Sequence, residues 1–193
     1  MRNIVATISL SLDGVMQAPG RADEDVRGGF EFGGWALPYR DQVMAQAMGK
    51  GMSRGADLLF GRRTYEDFYA VWPKRTDNPY SGILNRTQKY VASRTLRDPL
   101  PWENSTLLPG EAADTVARLK TQPGLDLVVL GCGDLLQTLM RQKLVDSYVL
   151  LIHPIVFGRG QRLFNDGLPH ESLRLTDSVT TTTGVVIATY ENA

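Results

Sequence analysis

The sequence predicts a three-layer α/β fold in which a mixed, mostly parallel sheet is flanked by helices and closed by an antiparallel C-terminal hairpin. Apolar strand-like runs alternate with helix-like ones along most of the chain, the pattern of a parallel sheet with helical crossovers. Two of these strands, residues 57–60 and 125–130, stop at a glycine and turn directly into a helix. The tail differs: residues 176–183 and 185–190 are β-rich and separated by Gly184, which suits a closing hairpin.

The composition sets the outer limits. A chain of 193 residues, 42% hydrophobic and 22% charged, is expected to fold as one domain, 1–193, with a substantial core. Its 21 basic and 21 acidic residues cancel. Without an excess of positive charge, neither nucleic acid nor an anionic membrane is an expected partner, and any recognition of phosphate must be local. Cys132 is the single cysteine, so an internal disulfide is impossible, which is compatible with the cytoplasm. With His153 and His170 the only histidines, a metal site is not expected.

In chain order, residues 4–12 read as a buried first strand ended by the turn pair Asp13-Gly14. Residues 17–38 form a long segment rich in glycine, proline and acid. Its length marks it as functional or disordered, and Phe30, Phe32 and Trp35 argue against disorder. A helix follows over 41–52, a strand over 57–60 and a helix over 62–71. Residues 73–80 are loop-like. Strands are expected at 89–92 and 105–108, a helix at 111–121 stopped by Pro123-Gly124, and an apolar, central strand at 125–130. Residues 134–143 continue as a helix and 147–152 as a strand.

The strand–glycine–helix junctions carry the chemistry. A helix N-terminus presents unpaired N–H groups and a partial positive charge, so it attracts phosphate. In Gly61-Arg62-Arg63-Thr64, glycine permits close backbone approach and Thr64 can cap the helix or donate to phosphate. Arg62 and Arg63 offer charged forks suited to the extra phosphate of NADPH. The same tetrapeptide also suits a plain turn with solvated arginines. Gly131-Cys132-Gly133 follows the most apolar strand, where pyrophosphate binding is the expected use of the geometry, although a tight turn explains it equally. Cys132 has no neighbouring base to make it a nucleophile. Ser93-Arg94-Thr95 ends another strand on the side where ligands bind in such sheets. His153, just before Pro154, reads as structural.

Taken in order, these motifs resemble the dihydrofolate-reductase-like superfamily. Within that superfamily the closer resemblance is to the C-terminal reductase domain of RibD, the riboflavin-biosynthesis deaminase-reductase, and its stand-alone bacterial relatives. The resemblance rests on Ser11-Leu12-Asp13-Gly14, Gly61-Arg62-Arg63-Thr64-Tyr65 and Gly131-Cys132-Gly133-Asp134-Leu135. It continues through Leu144-Val145-Asp146, the run from His153-Pro154 to Arg159-Gly160, Leu163-Phe164 and Gly184-Val185-Val186. The segment from Pro19-Gly20 to Gly33-Gly34-Trp35 looks like the stand-alone subgroup. The resemblance implies NADPH as cofactor, with phosphates held by Gly61, Arg62, Thr64, Ser93, Arg94, Gly131, Gly133, Asp134 and Leu135. Ser9, Asp13 and Gly14 would lie nearer the nicotinamide. It also implies a homodimer formed through the C-terminal strands. True dihydrofolate reductases carry a substrate-binding carboxylate soon after Trp-x-Leu-Pro. Here that run is Trp35-Ala36-Leu37-Pro38, and Asp41 falls one residue later, a turn of about 100° on a helix.

The expected function is NADPH-dependent hydride transfer to a C=N or C=O bond of a small heterocycle, as in reduction of 5-amino-6-(5-phosphoribosylamino)uracil. Asp41 is the first candidate proton donor and Asp13 the second. Phe30, Trp35 and Tyr39 are expected to line the substrate pocket, with packing within the loop as the alternative. Two further readings are dihydrofolate reduction and a non-catalytic, dimeric nucleotide-binding protein.

Overall fold

A computed structural model describes every residue except Arg54, and the backbone alone at residues 51–53 and 79. In chain order the elements are β1 (Ile4–Ser11), α1 (Gln42–Ser53), β2 (Asp57–Gly61), α2 (Arg62–Val71), α3 (Pro79–Arg86), β3 (Lys89–Ser93) and β4 (Ser105–Pro109). They continue as α4 (Ala112–Thr121), β5 (Leu127–Leu130), α5 (Gly133–Arg141), β6 (Ser147–His153), β7 (Leu173–Thr180) and β8 (Val186–Asn192). The eight strands make one sheet in the order β4-β3-β2-β5-β1-β6-β8-β7. Pairing is parallel from β4 to β6, and β8 runs antiparallel to both β6 and β7. The predicted mixed sheet with its closing hairpin is thus present.

Alternation along the strands distributes the packing. In β1, Ile4, Ala6, Ile8 and Leu10 all face the main core, where they meet Tyr65 of α2, Val116 and Leu119 of α4 and the Leu135, Leu136 and Leu139 stripe of α5. In β6 the sides divide. Tyr148, Leu150 and Ile152 join that core, while Val149 and Leu151 face Met44, Ala47 and Met48 of α1 together with Ile187. Helices therefore cover both faces of the sheet.

Helix α3 lies where the sequence read as loop and its sequel. It is eight residues long and contains Gly82, so its periodicity is short. Its start has a physical marker: Asn78 Oδ1 accepts the Tyr80 N–H at 2.9 Å, an N-cap ahead of Pro79. Its end is closed by a buried cation. Lys89 Nζ donates to the carbonyls of Leu84 (2.8 Å), Asn85 (3.2 Å) and Thr87 (2.7 Å) and sits over the Trp102 ring. Lys89→Met retains the bulk but leaves those carbonyls without a donor. It is expected to cost about 2–4 kcal/mol of stability, measured by urea unfolding.

Candidate functional site

The long segment after β1 is built around its own core. The Trp35 indole donates to the Gln17 carbonyl at 2.7 Å, and Gln17 Nε2 donates to the carbonyls of Asp25 and Arg27. Phe30 and Trp35 each pack edge to face on Phe157, with centroids 5.5 Å away, and Val15 and Ala18 complete the cluster. Phe30 and Trp35 are nearly fully buried there. Tyr39 packs instead against the α1-facing cluster and the edge of His153. None of these three aromatics lines the main cavity, which corrects their expected role as its walls. The rings are the reason the segment is ordered.

That segment closes over a cavity of about 700 Å³ at the C-terminal ends of β1 and β5. One wall is backbone and polar side chain: Ser9, Leu130, the turn Gly131-Cys132-Gly133, Arg63 and Thr64. The other includes Arg21 and Glu24 of the long segment, with Asp67, Phe68 and Trp72 beyond the start of α2, and Arg40 and Met44 around the start of α1. His153 also lines it.

At the turn, Gly131 and Cys132 are consecutive left-handed residues, φ 69° and 60°, immediately before α5. Such a conformation in a cysteine is costly by about 1 kcal/mol. It is held because the Gly61 N–H points at Cys132 Sγ, 3.4 Å away, tying the ends of β2 and β5 together. Burial pushes the Cys132 thiol up to about 11, so it is inert as a nucleophile at neutral pH. The first turn of α5, the Thr64 hydroxyl and the Arg63 fork at one wall form a donor set that fits a phosphate. Arg63 meets Asp134 at 2.7 Å and Arg27 approaches the same carboxylate at 3.6 Å, so charge already concentrates beside the turn.

The remaining expected phosphate contacts lie off the cavity wall. Arg62 turns to Glu66 (2.9 Å) and Thr95 (2.9 Å), and Arg94 pairs with Glu111. Ser93 Oγ accepts the N–H groups of Thr95 and Leu96 inside its own loop. Gly61 and Gly14 shape turns, and Leu135 is core.

Both expected acids have other work. Asp41 Oδ1 caps α1 by accepting the Met44 N–H at 2.7 Å, and Oδ2 accepts the Thr182 N–H and hydroxyl. Those donors, Met44 first, hold its carboxyl below the ordinary range. It is absent from the cavity wall, where Arg40 stands instead. Asp13 accepts from Ser11 Oγ (2.6 Å), Phe157 N (3.2 Å), Gly158 N (2.9 Å) and Arg162 (3.2 Å). Burial opposes its ionisation, but these donors prevail and bring it down to about 2. Neither carboxylate is placed to donate a proton, which corrects that expectation: Asp13 fastens the turn after β1 to the 157–162 segment.

His153 is a neutral, fixed group. Its Nδ1 lies 2.9 Å from the Leu151 carbonyl and 3.3 Å from that of Leu10, so Nδ1 carries the hydrogen. Burial pushes its pKa down, outweighing those bonds. The sequence did not single out Arg21, Glu24 or Asp67. Glu24 lies in the charge-dense run Asp23-Glu24-Asp25, whose acidity weighs against a substrate with carboxylates of its own, as folate has; Arg21 and Asp67 carry no comparable signal.

Residues 2–187 match the RibD C-terminal domain. The chain belongs to the RibD C-terminal domain family. It is 30% identical over 138 residues to the uncharacterized protein YyaP of Bacillus subtilis (strain 168), which spans 69% of this chain and 72% of that one. It superposes on RibD of Acinetobacter baumannii with a TM-score of 0.62 at 13% identity, over 100% of this chain and 58% of that one. It also superposes on dihydrofolate reductase from Enterococcus faecalis complexed with NADP(H) and RAB-propyl, with a TM-score of 0.58 at 12% identity over 98% and 96% of the two chains. The fold of this RibD C-terminal domain is therefore dihydrofolate-reductase-like. Among the described residues, no helix is long and apolar enough to cross a membrane.

The Asp13 contacts make a pH-dependent prediction for this RibD C-terminal domain. A carboxyl at about 2 in the fold, against 3.8 unperturbed, stabilises fully above the unfolded value. That contribution is lost as pH falls through about 2. Asp13→Asn is expected to cost about 1–3 kcal/mol at neutral pH. Thermal unfolding followed from neutral to strongly acidic pH should show the gap to wild type closing across that window.

Proposed function

We propose that this protein is an NADPH-dependent reductase that transfers hydride to a C=N or C=O bond of a small, planar heterocycle, in the manner of RibD-type reductases. The observation that carries this reading is the cavity lined both by a phosphate-suited turn and by an anchored loop. When bound, NADPH supplies the hydride. The chain supplies the rest. N–H groups at the start of α5, with Thr64 and Arg63, would hold the pyrophosphate, and Ser9 would border the nicotinamide end. Arg62 and Arg94, off the cavity wall at the ends of β2 and β3, would read the far phosphate of NADPH by exchanging Glu66 and Glu111 for it. Phe68, Val71 and Trp72 give the substrate an apolar wall against which a flat ring can pack. The engagement of Asp41 by Met44 and Thr182 counts against dihydrofolate as the substrate.

A titration following nicotinamide fluorescence tests the reading. NADPH should bind well below millimolar and more tightly than NADH, and failure of both to bind overturns it. Gly131→Ala separates site from fold. A Cβ there would meet nothing nearer than Thr64 at 4.0 Å, so its cost to stability is the conformational one, about 1 kcal/mol. Its methyl group would stand at the cavity wall, and NADPH affinity should fall by about tenfold or more, a loss of about 1.4 kcal/mol.

We also propose that the protein works in the cytoplasm as a homodimer. Strand β7 is the sheet edge and is exposed along nearly its whole length, with Leu175 at 51%, Val179 at 37% and the neighbouring Val186 at 36% exposure. An apolar edge of this kind calls for a partner. Light scattering should give twice the monomer mass, and Val179→Asp should shift it to the monomer.

A further inference from the structure

We infer that Glu24 is the proton donor of this site and that the reducible group is a C=N bond. The inference rests on the reductase reading above and comes from the pairing of every carboxyl group on the cavity wall. Five carboxyl side chains line the cavity: Asp23, Glu24, Asp25, Glu66 and Asp67. Four of them are ion-paired. Asp67 takes Arg21 in a two-pronged contact, at 2.5 and 3.1 Å, and Asp23 meets the same guanidinium at 3.2 Å. Asp25 takes Arg27 at 2.5 Å, and Glu66 takes Arg62 at 2.9 Å. Each of these four is engaged by a guanidinium, a partner that favours the charged form.

Glu24 differs in kind. Among the described residues it makes no ion pair. Its Oε2 accepts the backbone N–H groups of Gly20 (2.6 Å) and Arg21 (3.1 Å), which clamps the carboxyl in one orientation. Its Oε1 has no such partner. A Cβ at Gly20 would stand 3.0 Å from Glu24 Oε2. The charged groups that act on Glu24 are Arg21 of its own segment, which favours its carboxylate, and Asp67 of α2, which opposes it and holds the Arg21 guanidinium in the two-pronged contact. Burial, with a smaller push from the negative charge of Asp67, raises Glu24 above the ordinary glutamate value, against its two amide donors and the charge of Arg21.

The other lining groups fail as donors. The Cys132 thiol is too weak an acid, and His153 is neutral with its Nδ1 hydrogen already given to carbonyls. No tyrosine or lysine, the usual partners of a carbonyl oxygen, is on the wall among the described residues. A carboxylic acid is matched to the nitrogen of an imine, which is far more basic than a carbonyl oxygen. In the balanced step, the imine carbon accepts hydride from the nicotinamide. The C=N π pair moves to nitrogen, which takes the proton from Glu24. The products are the amine, NADP⁺ and the Glu24 carboxylate, which regains its proton from water.

The test pairs two probes at a pH where the free imine is unprotonated in solution: 3,4-dihydroisoquinoline, a flat imine that then needs a proton, and its N-methyl iminium, whose fixed charge removes that need. Glu24→Gln preserves an oxygen for both amide N–H groups. NADPH affinity by fluorescence should be unchanged in the variant. Its rate with the imine should fall about 10²- to 10⁴-fold, whereas the iminium should be reduced at the wild-type rate. Equal loss on both probes makes Glu24 a structural residue and overturns the proposal. In wild type, turnover of the imine should decline as pH rises through the Glu24 value. Carbon-13 NMR of glutamate-labelled protein, assigned with the variant, should show that carboxyl titrating above the ordinary range. A normal or lowered titration also overturns the proposal. Absence of NADPH binding sinks the reductase reading itself. NADPH binding with neither probe reduced sinks the imine assignment alone.

Discussion

Parallel pairing of β1 with both of its neighbours, β5 and β6, is the constraint from which the site follows. A parallel neighbour cannot be reached by a tight turn, so the chain must cross the sheet and return through a helix or long segment. Every parallel strand therefore ends on the same edge, and whatever follows it starts there. That is why Ser9 at the end of β1, Arg63 after β2 and Gly131 after β5 share one cavity wall despite their separation in sequence. The antiparallel pair β7–β8 escapes the constraint, and among the described residues neither strand contributes to that wall.

The same edge gathers charge, and its arrangement matters more than its amount. Half-exposed ion pairs such as Arg62–Glu66 and Arg63–Asp134 stabilise the fold by at most about 1 kcal/mol each. Their effect is on protonation and position. Each guanidinium orients the carboxylate it meets, and Arg21 also ties the long segment to α2 through Asp67. With the Trp35–Gln17 bond and the Phe30–Phe157 contact holding that segment from behind, the wall opposite the glycine turn is preformed.

Much of the fold was legible in the sequence because burial periodicity is a local property. The alternation in β1 and the apolar run of β5 state their own packing, and the glycine junctions at 61 and 131 mark the strand ends. Helix α3 was not legible, since eight residues with an internal glycine give too few periods. The site was legible on its backbone side and not on its side-chain side. Phe30, Trp35 and Tyr39 have the composition of a binding wall, but composition does not say which way a ring faces, and a long segment needs a core of its own. Asp13 and Asp41 illustrate the same gap: a carboxylate is equally conspicuous as an acid and as an acceptor of backbone N–H groups. Asp23, Glu24 and Asp25 look alike in sequence, yet the fold sends one to solvent, one inward without a cation and one to Arg27.

This division between backbone and side chain has a consequence for how the site works. The wall suited to phosphate is made from turn geometry, which depends on left-handed residues and strand ends and tolerates little change in sequence. The opposite wall comes from the long segment and the adjoining parts of α1 and α2, where Met44, Phe68 and Trp72 reach the cavity as side chains on a scaffold anchored elsewhere. Replacing those side chains changes the shape and charge of the cavity without touching the Gly61–Cys132 contact that holds the turn. Recognition of what is reduced is thus separable from the holding of phosphate. Glu24 belongs to the first of these, because its clamp is formed by the amides of Gly20 and Arg21 in the long segment. In the proposed reductase, proton supply and substrate shape would therefore vary together, on a segment that meets the phosphate turn through Arg27 and Asp134.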